Sequence, residues 1–445
     1  MRRSAFALGL SLGLRAASAL AGYPDVFGLG VESVARAGAG VADSTNFGAA
    51  WLNPAGLAFS PGSVLSLGGA FVGSGLVTRG RRVPIEDPFS SPGGLVLRIP
   101  GDRWVSRALA FGIGINALPS TLGHIVNGAP DAPMFPYYQN RTQRLVVLPA
   151  VALRPHPMLS LGVALNYYAS LEGPAEAEEG PLRAVETTIT QELRALTTVV
   201  LGVRFEPTAR WSFGAVYRQR FVAPYAVRTR SNVGGIALDL AVNAEGLATP
   251  DEVALGARYR GDRWRLLVDA QWSRWSAWDG PFVRVSATLP GLALTPRSPS
   301  GRLQDTYALR LGGSLRAWQG ATDDRWVELH AGLGVESSMV HEQPGRTNLL
   351  DGPRVLSGAG VTAAVPRPWV WGARFRVGLA VQVHALLPVT LTKRVGTPEE
   401  AARDPGVLAD EDATLPGTQT RNPGYPTLTG GGFAYTITGG LEIDL

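Results

Sequence analysis

The chain has 445 residues, enough for one large domain or several ordinary ones. Its 41 basic and 36 acidic side chains give a formal charge of +5, and three arginines among the first 21 residues, which hold no acid, supply most of the excess. The remaining balance is too even to argue for nucleic acid, and with no cysteine an exported chain of this size must be stable without disulfides.

The first 21 residues, MRRSAFALGLSLGLRAASALA, read as a secretory signal peptide. Arg2 and Arg3 form the charged start, Ala5 to Leu14 the apolar run, and Ala19-Leu20-Ala21 the small-residue cleavage site. The mature protein then begins at Gly22. From Ser44 to Thr78 there is no Asp, Glu, Lys or Arg, but Pro54, Pro61 and seven glycines exclude a spanning helix. No other segment is long and apolar enough for one.

From about residue 63 onward the hydrophobic period is two. Leu159, Leu161, Val163, Leu165 and Tyr167 alternate with Ser160, Gly162, Ala164 and Asn166. Trp264, Leu266, Val268, Ala270 and Trp272 alternate with Arg265, Leu267, Asp269, Gln271 and Ser273, and residues 371–384 repeat the pattern. These are strands apolar on one face and polar or small on the other. Six short turns recur, at 100–104, 154–158, 206–211, 260–264, 321–326 and 365–369, five of them ending in Trp. Long connections lie between them, near 118–142, 172–191, 223–248, 276–303, 340–353 and 387–430. Short turns at one end, long loops at the other and a ring of aromatics (Trp104, Trp211, Trp264, Trp326, Trp369) describe a transmembrane β-barrel.

Six turns join twelve strands, and one strand at about 63–77 and another at 432–445 make fourteen. The fold class is therefore all-β: a 14-stranded antiparallel transmembrane β-barrel. The final strand ends on apolar Leu445, resembling the closing signal of barrel proteins with Leu in place of the usual Phe. The stretches 172–181 and 397–430 read as exposed loop tips.

No nucleophile-elbow, phosphate-loop or dinucleotide motif is present. The five histidines (His124, His156, His330, His341, His384) lack metal-ligand spacing. The reading is a protein that is not an enzyme, with no catalytic residue, cofactor or metal. A barrel phospholipase, which would set a His beside a Ser, is the weaker alternative. Charged residues of lumen parity are Arg218, Arg220, Arg258, Arg310, Arg374, Arg376, Asp269 and Glu328. A mutually paired polar interior accounts for them in general.

Residues 22–60 precede the first strand and do not alternate; GLGVESVARAGAGVADSTNFGAAWLNPAGLAFSPGS is the stretch that carries their pattern. With Asn53-Pro54-Ala55 after a Gly/Ala-rich approach and Asp43, they resemble the N-terminal hatch of the FadL/TodX family of outer-membrane transporters for hydrophobic compounds. The segments 248–278, 307–316 and 328–340 resemble the same family's strands. The resemblance implies a signal peptide at 1–21, a hatch at 22–60 inside the lumen and a barrel at 61–445. It implies uptake of long-chain fatty acids or similar apolar molecules by passive, hatch-gated diffusion, with lateral exit through the wall. The location implied is the outer membrane of a Gram-negative bacterium, as a monomer. Its partners would be a hydrophobic ligand, outer-membrane lipid and lipopolysaccharide, and the barrel assembly machinery, with no nucleic acid. A nonspecific porin and a structural or adhesion barrel are the alternatives.

Strand 104–117 turns only small residues inward, among them Ala110, Gly112 and Gly114. By the resemblance, Asn53-Pro54-Ala55 packs against this strand beside a lateral opening; the bland alternative is an Asn-Pro turn. Arg218 and Arg310 are the candidates to receive a fatty-acid carboxylate, by a charge-assisted bidentate contact.

Overall fold

The computed structural model describes residues 24–83, 88–99, 109–117, 129–139, 145–172, 175–179, 185–189, 192–233, 236–289, 292–294, 301–321, 325–365, 374–410 and 420–445. The signal-peptide reading, the turn at 100–104, residues 366–369 of the turn at 365–369 and residues 322–324 of the turn at 321–326 fall outside these residues.

Fourteen strands form the wall: β1 (Val64–Ser74), β2 (Phe89–Arg98), β3 (Leu109–Ala117), β4 (Val146–His156), β5 (Leu159–Glu172), β6 (Glu192–Phe205) and β7 (Trp211–Arg218), then β8 (Glu252–Arg260), β9 (Trp264–Ser273), β10 (Thr306–Gln319), β11 (Trp326–Glu336), β12 (Arg354–Val365), β13 (Arg374–Thr392) and β14 (Thr427–Asp444). Each pairs antiparallel with the next, and β14 returns to β1 in register from Val64 opposite Asp444 to Ser74 opposite Ala434. The sheet is closed. A short pair, Leu76–Thr78 and Arg81–Val83, hangs on the long-loop end of β14.

Alternation decides which face is which. Leu161, Val163, Leu255, Leu266, Val268, Leu311, Leu333, Leu379 and Ile437 point outward and are exposed, while Ser160, Ala164, Asn166, Leu267, Asp269, Gln382 and His384 are buried within. A contiguous exposed apolar band of this kind belongs in hydrocarbon, not water. Closure leaves no open sheet edge, as a bilayer requires. At the short-turn end Trp211, Tyr259 and Trp264 cluster, with ring centroids 4.9 Å and 5.3 Å apart in sequence. Trp326 departs from the expected belt: it shares the lumen parity of Glu328 and stacks under the Arg316 guanidinium, 4.1 Å from its centroid.

Three of the long connections are not loops. Phe221–Val233 and Ile236–Thr249 pair with each other, and with Val283–Leu289, Leu292–Leu294, Ala175–Glu179 and Val185–Ile189 they build a separate six-stranded sheet. Polar composition at 172–181 concealed a strand, and hairpins need no core of their own once anchored to wall strands. In 397–430 a helix, Pro398–Arg403, is capped by Thr397 and Glu400, and the following Val407 and Leu408 are buried. The segment 118–142 contains a further short helix, Pro136–Gln139.

Val268→Arg places a charge on the lipid face and should cost about 2–4 kcal/mol if it lies near mid-bilayer. Val268→Leu should assemble normally. The fraction of heat-modifiable, folded protein in purified outer membranes measures the difference.

Candidate functional site

Residues 24–60 fold without strands. Helices Pro24–Phe27, Val31–Ala35 and Ala49–Leu52 are one turn each, and Gly28, Gly30 and Gly38 take positive φ between them. The segment has almost no exposed side chain. What it packs against is the inner wall, all the way round.

The contact is backbone on backbone, and inward glycines make it sterically allowed. A Cβ at Gly162 of β5 would lie 2.2 Å from Ala55 N, one at Gly332 of β11 2.2 Å from the Arg36 carbonyl carbon, and one at Gly358 of β12 2.5 Å from Val34 O. Gly214 and Gly256 face Val41, Gly312 faces Ala39, and Gly378 and Gly440 face Val31. All of these glycines stand a few residues from the short-turn ends of their strands, so the segment seats at one level of the barrel. β9 has no glycine at that level. There Asp269 accepts hydrogen bonds from Gly40 N (2.7 Å) and Val41 N (3.0 Å).

An ionic cluster holds the same level. The Asp43 carboxylate accepts from Arg36 Nη1 (2.9 Å), Arg265 Nη1 (3.0 Å) and Arg258 Nη1 (3.2 Å), with all four residues buried or nearly so. Arg36 also pairs with Glu32 (2.9 Å) and donates through Nε to Ser314 Oγ (2.9 Å). Glu328 takes Arg265 and Arg316, and Glu206 takes Arg204 and Arg258. Of the charges expected in the lumen, Arg258, Asp269 and Glu328 thus serve the N-terminal segment.

Asn53-Pro54-Ala55 acts as a capped turn and a wall contact together. Asn53 Oδ1 accepts from Ala55 N (3.1 Å), capping the 3₁₀ helix Pro54–Phe59 with Pro54 at its first position. Asn53 Nδ2 donates to Val41 O and to Val203 O of β6, both at 2.9 Å. Ser160 of β5 donates to Ala55 O (2.8 Å). The motif therefore meets β5, β6 and β7 rather than the strand expected from the sequence.

On β3 it is Leu57 that covers Gly112, while Phe47, Leu29 and Ala50 approach Gly114. The described part of β3 pairs without interruption on both sides, Arg98 to Ser91 of β2 opposite Ala110 to Ala117 and Leu153 to Val146 of β4 opposite Leu109 to Asn116. Among the described residues Ala110, Gly112 and Gly114 make room for the N-terminal segment. Small inward residues mark close approach wherever they occur, so they could not by themselves distinguish a gap from a seat.

Above this level one cavity brings Arg218 and Arg310 together, with Trp51, Tyr137, Glu252 and Glu336. Each nitrogen of Arg218 is already used: Nε donates to Trp51 O (3.0 Å), Nη1 to Glu252 (3.0 Å) and Nη2 to Leu52 O (3.3 Å). Arg218 is an anchor for residues 51–52 and offers no free fork to a ligand carboxylate. Arg310 donates to Gln271 (2.7 Å) and reaches Glu336 (3.4 Å). The two glutamates went unnoticed in the sequence because their pairing depends on neighbouring strands; lumen parity was the only available signal.

Tyr137 and Tyr138 of the helix Pro136–Gln139 close the cavity from the long-loop side. The Arg354 guanidinium lies 3.5 Å over the Tyr137 ring and pairs with Asp351 (2.9 Å). Tyr138 Oη sits 3.3 Å from His384 Nδ1, and the His384 ring packs on Phe27 at 4.7 Å. Met134, Phe135, Trp275, Trp278, Phe282 and Leu350 bury an apolar roof around them. Lys393, the only lysine in the chain, is buried beside it and donates to the carbonyls of Gln343, Gly345 (2.8 Å) and Thr347 (2.6 Å).

The His-beside-Ser arrangement does exist: Ser314 Oγ and His330 Nδ1 are 2.8 Å apart. Both side chains are buried under the N-terminal segment, the hydroxyl already receives Arg36 Nε, and His330 Nε2 contacts Thr362 at 2.8 Å. The pair is a structural bridge between β10 and β11 with no room for a substrate carbonyl.

Fold and interior together define a membrane-spanning β-barrel whose lumen is occupied by its own N-terminal segment. Solved structures share this architecture along nearly their whole length. A FadL homologue from Pseudomonas aeruginosa is 13% identical, with 93% of this chain and 97% of that one covered and a TM-score of 0.55. The P. putida toluene transporter TodX is 13% identical over 95% and 99% (TM-score 0.52), and the CymD monoaromatic hydrocarbon channel is 14% identical over 95% and 98% (TM-score 0.52). The chain has the fold of these FadL/TodX proteins. No protein-family profile and no curated protein sequence matches it.

Asp43→Asn removes the charge that three guanidiniums share, and losing one partner of a buried ion pair costs about 3–5 kcal/mol. The barrel should still form, while amide hydrogen exchange at residues 34–44 in detergent micelles should quicken by orders of magnitude. Gly162→Val should produce the same loosening around residues 53–55.

Proposed function

We propose that the chain is a member of the FadL/TodX family and takes up hydrophobic small molecules across the outer membrane of a Gram-negative bacterium. The carrying observation is the glycine-lined level at which residues 24–60 meet the wall on nearly every side. A lumen filled in this way passes no bulk water, which disfavours a nonspecific porin. Narrow cavities above and beside the filling suit passive diffusion of small apolar molecules past it.

In this reading residues 1–21 are the signal peptide, 22–60 a gating hatch and 61–445 the barrel, working as a monomer in contact with lipid and lipopolysaccharide after insertion by the barrel assembly machinery. Asn53-Pro54-Ala55 tethers the hatch to β5–β7. Arg310 remains the candidate contact for a ligand carboxylate, and Arg218 holds the hatch. With Glu252 and Glu336 balancing the two arginines, the upper cavity favours uncharged molecules over fatty-acid anions. Exit is sideways, through the wall.

Cells carrying the gene should accumulate radiolabelled toluene or oleate several-fold faster than cells without it. Purified protein in planar bilayers should give no large, steady conductance steps. Such steps, with no gain in uptake, would restore the porin.

A further inference from the structure

We infer that a groove on the outer face of β4–β8 holds one acyl chain of a phospholipid from the periplasmic leaflet, a resident lipid site backed by the Asn53-Pro54-Ala55 turn. Only the membrane placement is taken from the reading above, and the site is independent of what the barrel carries.

The groove encloses about 510 Å³, whereas the cavities at Arg218 and at Val31 hold about 40 and 30 Å³, room for water only. Its two banks are register rows of outward side chains. One runs from Val151 of β4 through Val163, Leu201 and Tyr217 to Val253 of β8, the other from Leu153 through Leu161 and Val203 to Ala215 of β7. Between the banks the floor is bare backbone at Gly162 and Gly202. The banks are sheltered: Leu161 and Leu201 are 44% and 45% exposed, against 55–60% for Leu255, Leu266, Leu333 and Leu379 elsewhere on the apolar band.

The depth comes from inside the barrel. A Cβ at Gly202 would lie 2.1 Å from Asn53 Oδ1, and Gly162 sits as close to Ala55 N. Asn53 donates to Val203 O, Ser160 to Ala55 O and Ser212 Oγ of β7 to Ala42 O (2.9 Å). These bonds hold β5–β7 down on the N-terminal segment, and the outer surface of the same strands sinks with them. One layer of backbone separates the groove from Asn53-Pro54-Ala55.

The dimensions select the occupant. Neighbouring rows on one face of a sheet are about 7 Å apart, and five strands span about 19 Å. An extended acyl chain fits such a slot, while an α-helix, about 10–12 Å across with its side chains, does not. A footprint of about 130 Å² is also far below the roughly 800 Å² per partner of a stable protein interface, too little to hold a second barrel.

The position selects the leaflet. The groove is lowest at β5 and β6, where Leu161 and Val203 stand two residues from the short-turn ends, and it rises to Ala215, four residues up β7. Short turns face the periplasm, and the leaflet on that side is phospholipid. A tail entering at β5–β6 climbs toward β8 and leaves its phosphate near the turn at 206–211, where Arg210 is exposed. Apolar burial along the slot and a charge-assisted contact at its mouth are complementary to that lipid. The tail then supports from the bilayer side the strands that the N-terminal segment grips from the lumen.

Native mass spectrometry of the purified barrel in detergent, with added dihexadecanoyl phosphatidylglycerol, reads the site directly. The unsubstituted protein should keep one phospholipid under conditions that strip the others. Ala215→Trp, which fills the open end of the slot, should cut that population roughly tenfold, and Leu201→Trp should do the same from the facing bank. Ala270→Trp, outward in the same register row one strand beyond Leu255, should keep the lipid. Heat-modifiability identifies the variants that fold, and either blocking variant suffices for the comparison with Ala270→Trp. A graded series of adducts with no one-lipid step, equal retention in the blocking and control variants, lipopolysaccharide bound in place of phospholipid, or a dimer would each overturn the site.

Discussion

A backbone polar group facing hydrocarbon must be satisfied within the protein, and this constraint organises the whole molecule. It forces the fourteen strands to close, because an open edge would leave a row of N–H and C=O groups unmet. Closure at fourteen strands encloses a lumen too wide for wall side chains alone to fill. The N-terminal segment occupies it.

Filling the lumen with irregular backbone creates a second accounting. Helices of one turn leave most of their N–H and C=O groups without partners inside the helix. Wall side chains answer them: Asp269 receives two amides, Ser160 donates to Ala55 O, Arg218 donates to Trp51 O and Leu52 O, and Asn53 reaches back to Val203 O. The wall approaches closely enough to do so only because its inward residues at that level are glycines. The Asp43 cluster adds charge to a fit that is first steric. The N-terminal segment and the barrel wall are one packed body.

Much of this was legible in the chain. Period-two alternation, turn spacing and the strand count specify a barrel of fourteen strands with the correct face outward, because alternation is a local property of each strand. The glycines at 162, 202, 214, 256, 312, 332, 358, 378 and 440 all have inward parity, and their recurrence near the short-turn ends was a signal of close approach that sequence reading left unused. Long polar connections concealed a six-stranded sheet because hairpin pairing at 221–249 depends on neighbours supplied by distant loops.

What the chain alone determined is which residues face hydrocarbon, which face the lumen and which segment cannot be part of the wall. Side-chain period and the conformational limits of Pro and Gly are local, so they survive without tertiary information. Which strand each part of the N-terminal segment touches was decided only by the closed structure. Asn53-Pro54-Ala55 meets β5, β6 and β7, and not β3, because the turns at Gly28, Gly30 and Gly38 set the direction of the segment across the lumen. The roles of the arginines were decided there too. Arg218 and Arg310 have the same parity and chemistry in sequence, but only the folded barrel spends every nitrogen of Arg218 on the backbone of residues 51–52 and on Glu252. Long-range pairing of that kind depends on strand register and lumen geometry, which no local pattern records.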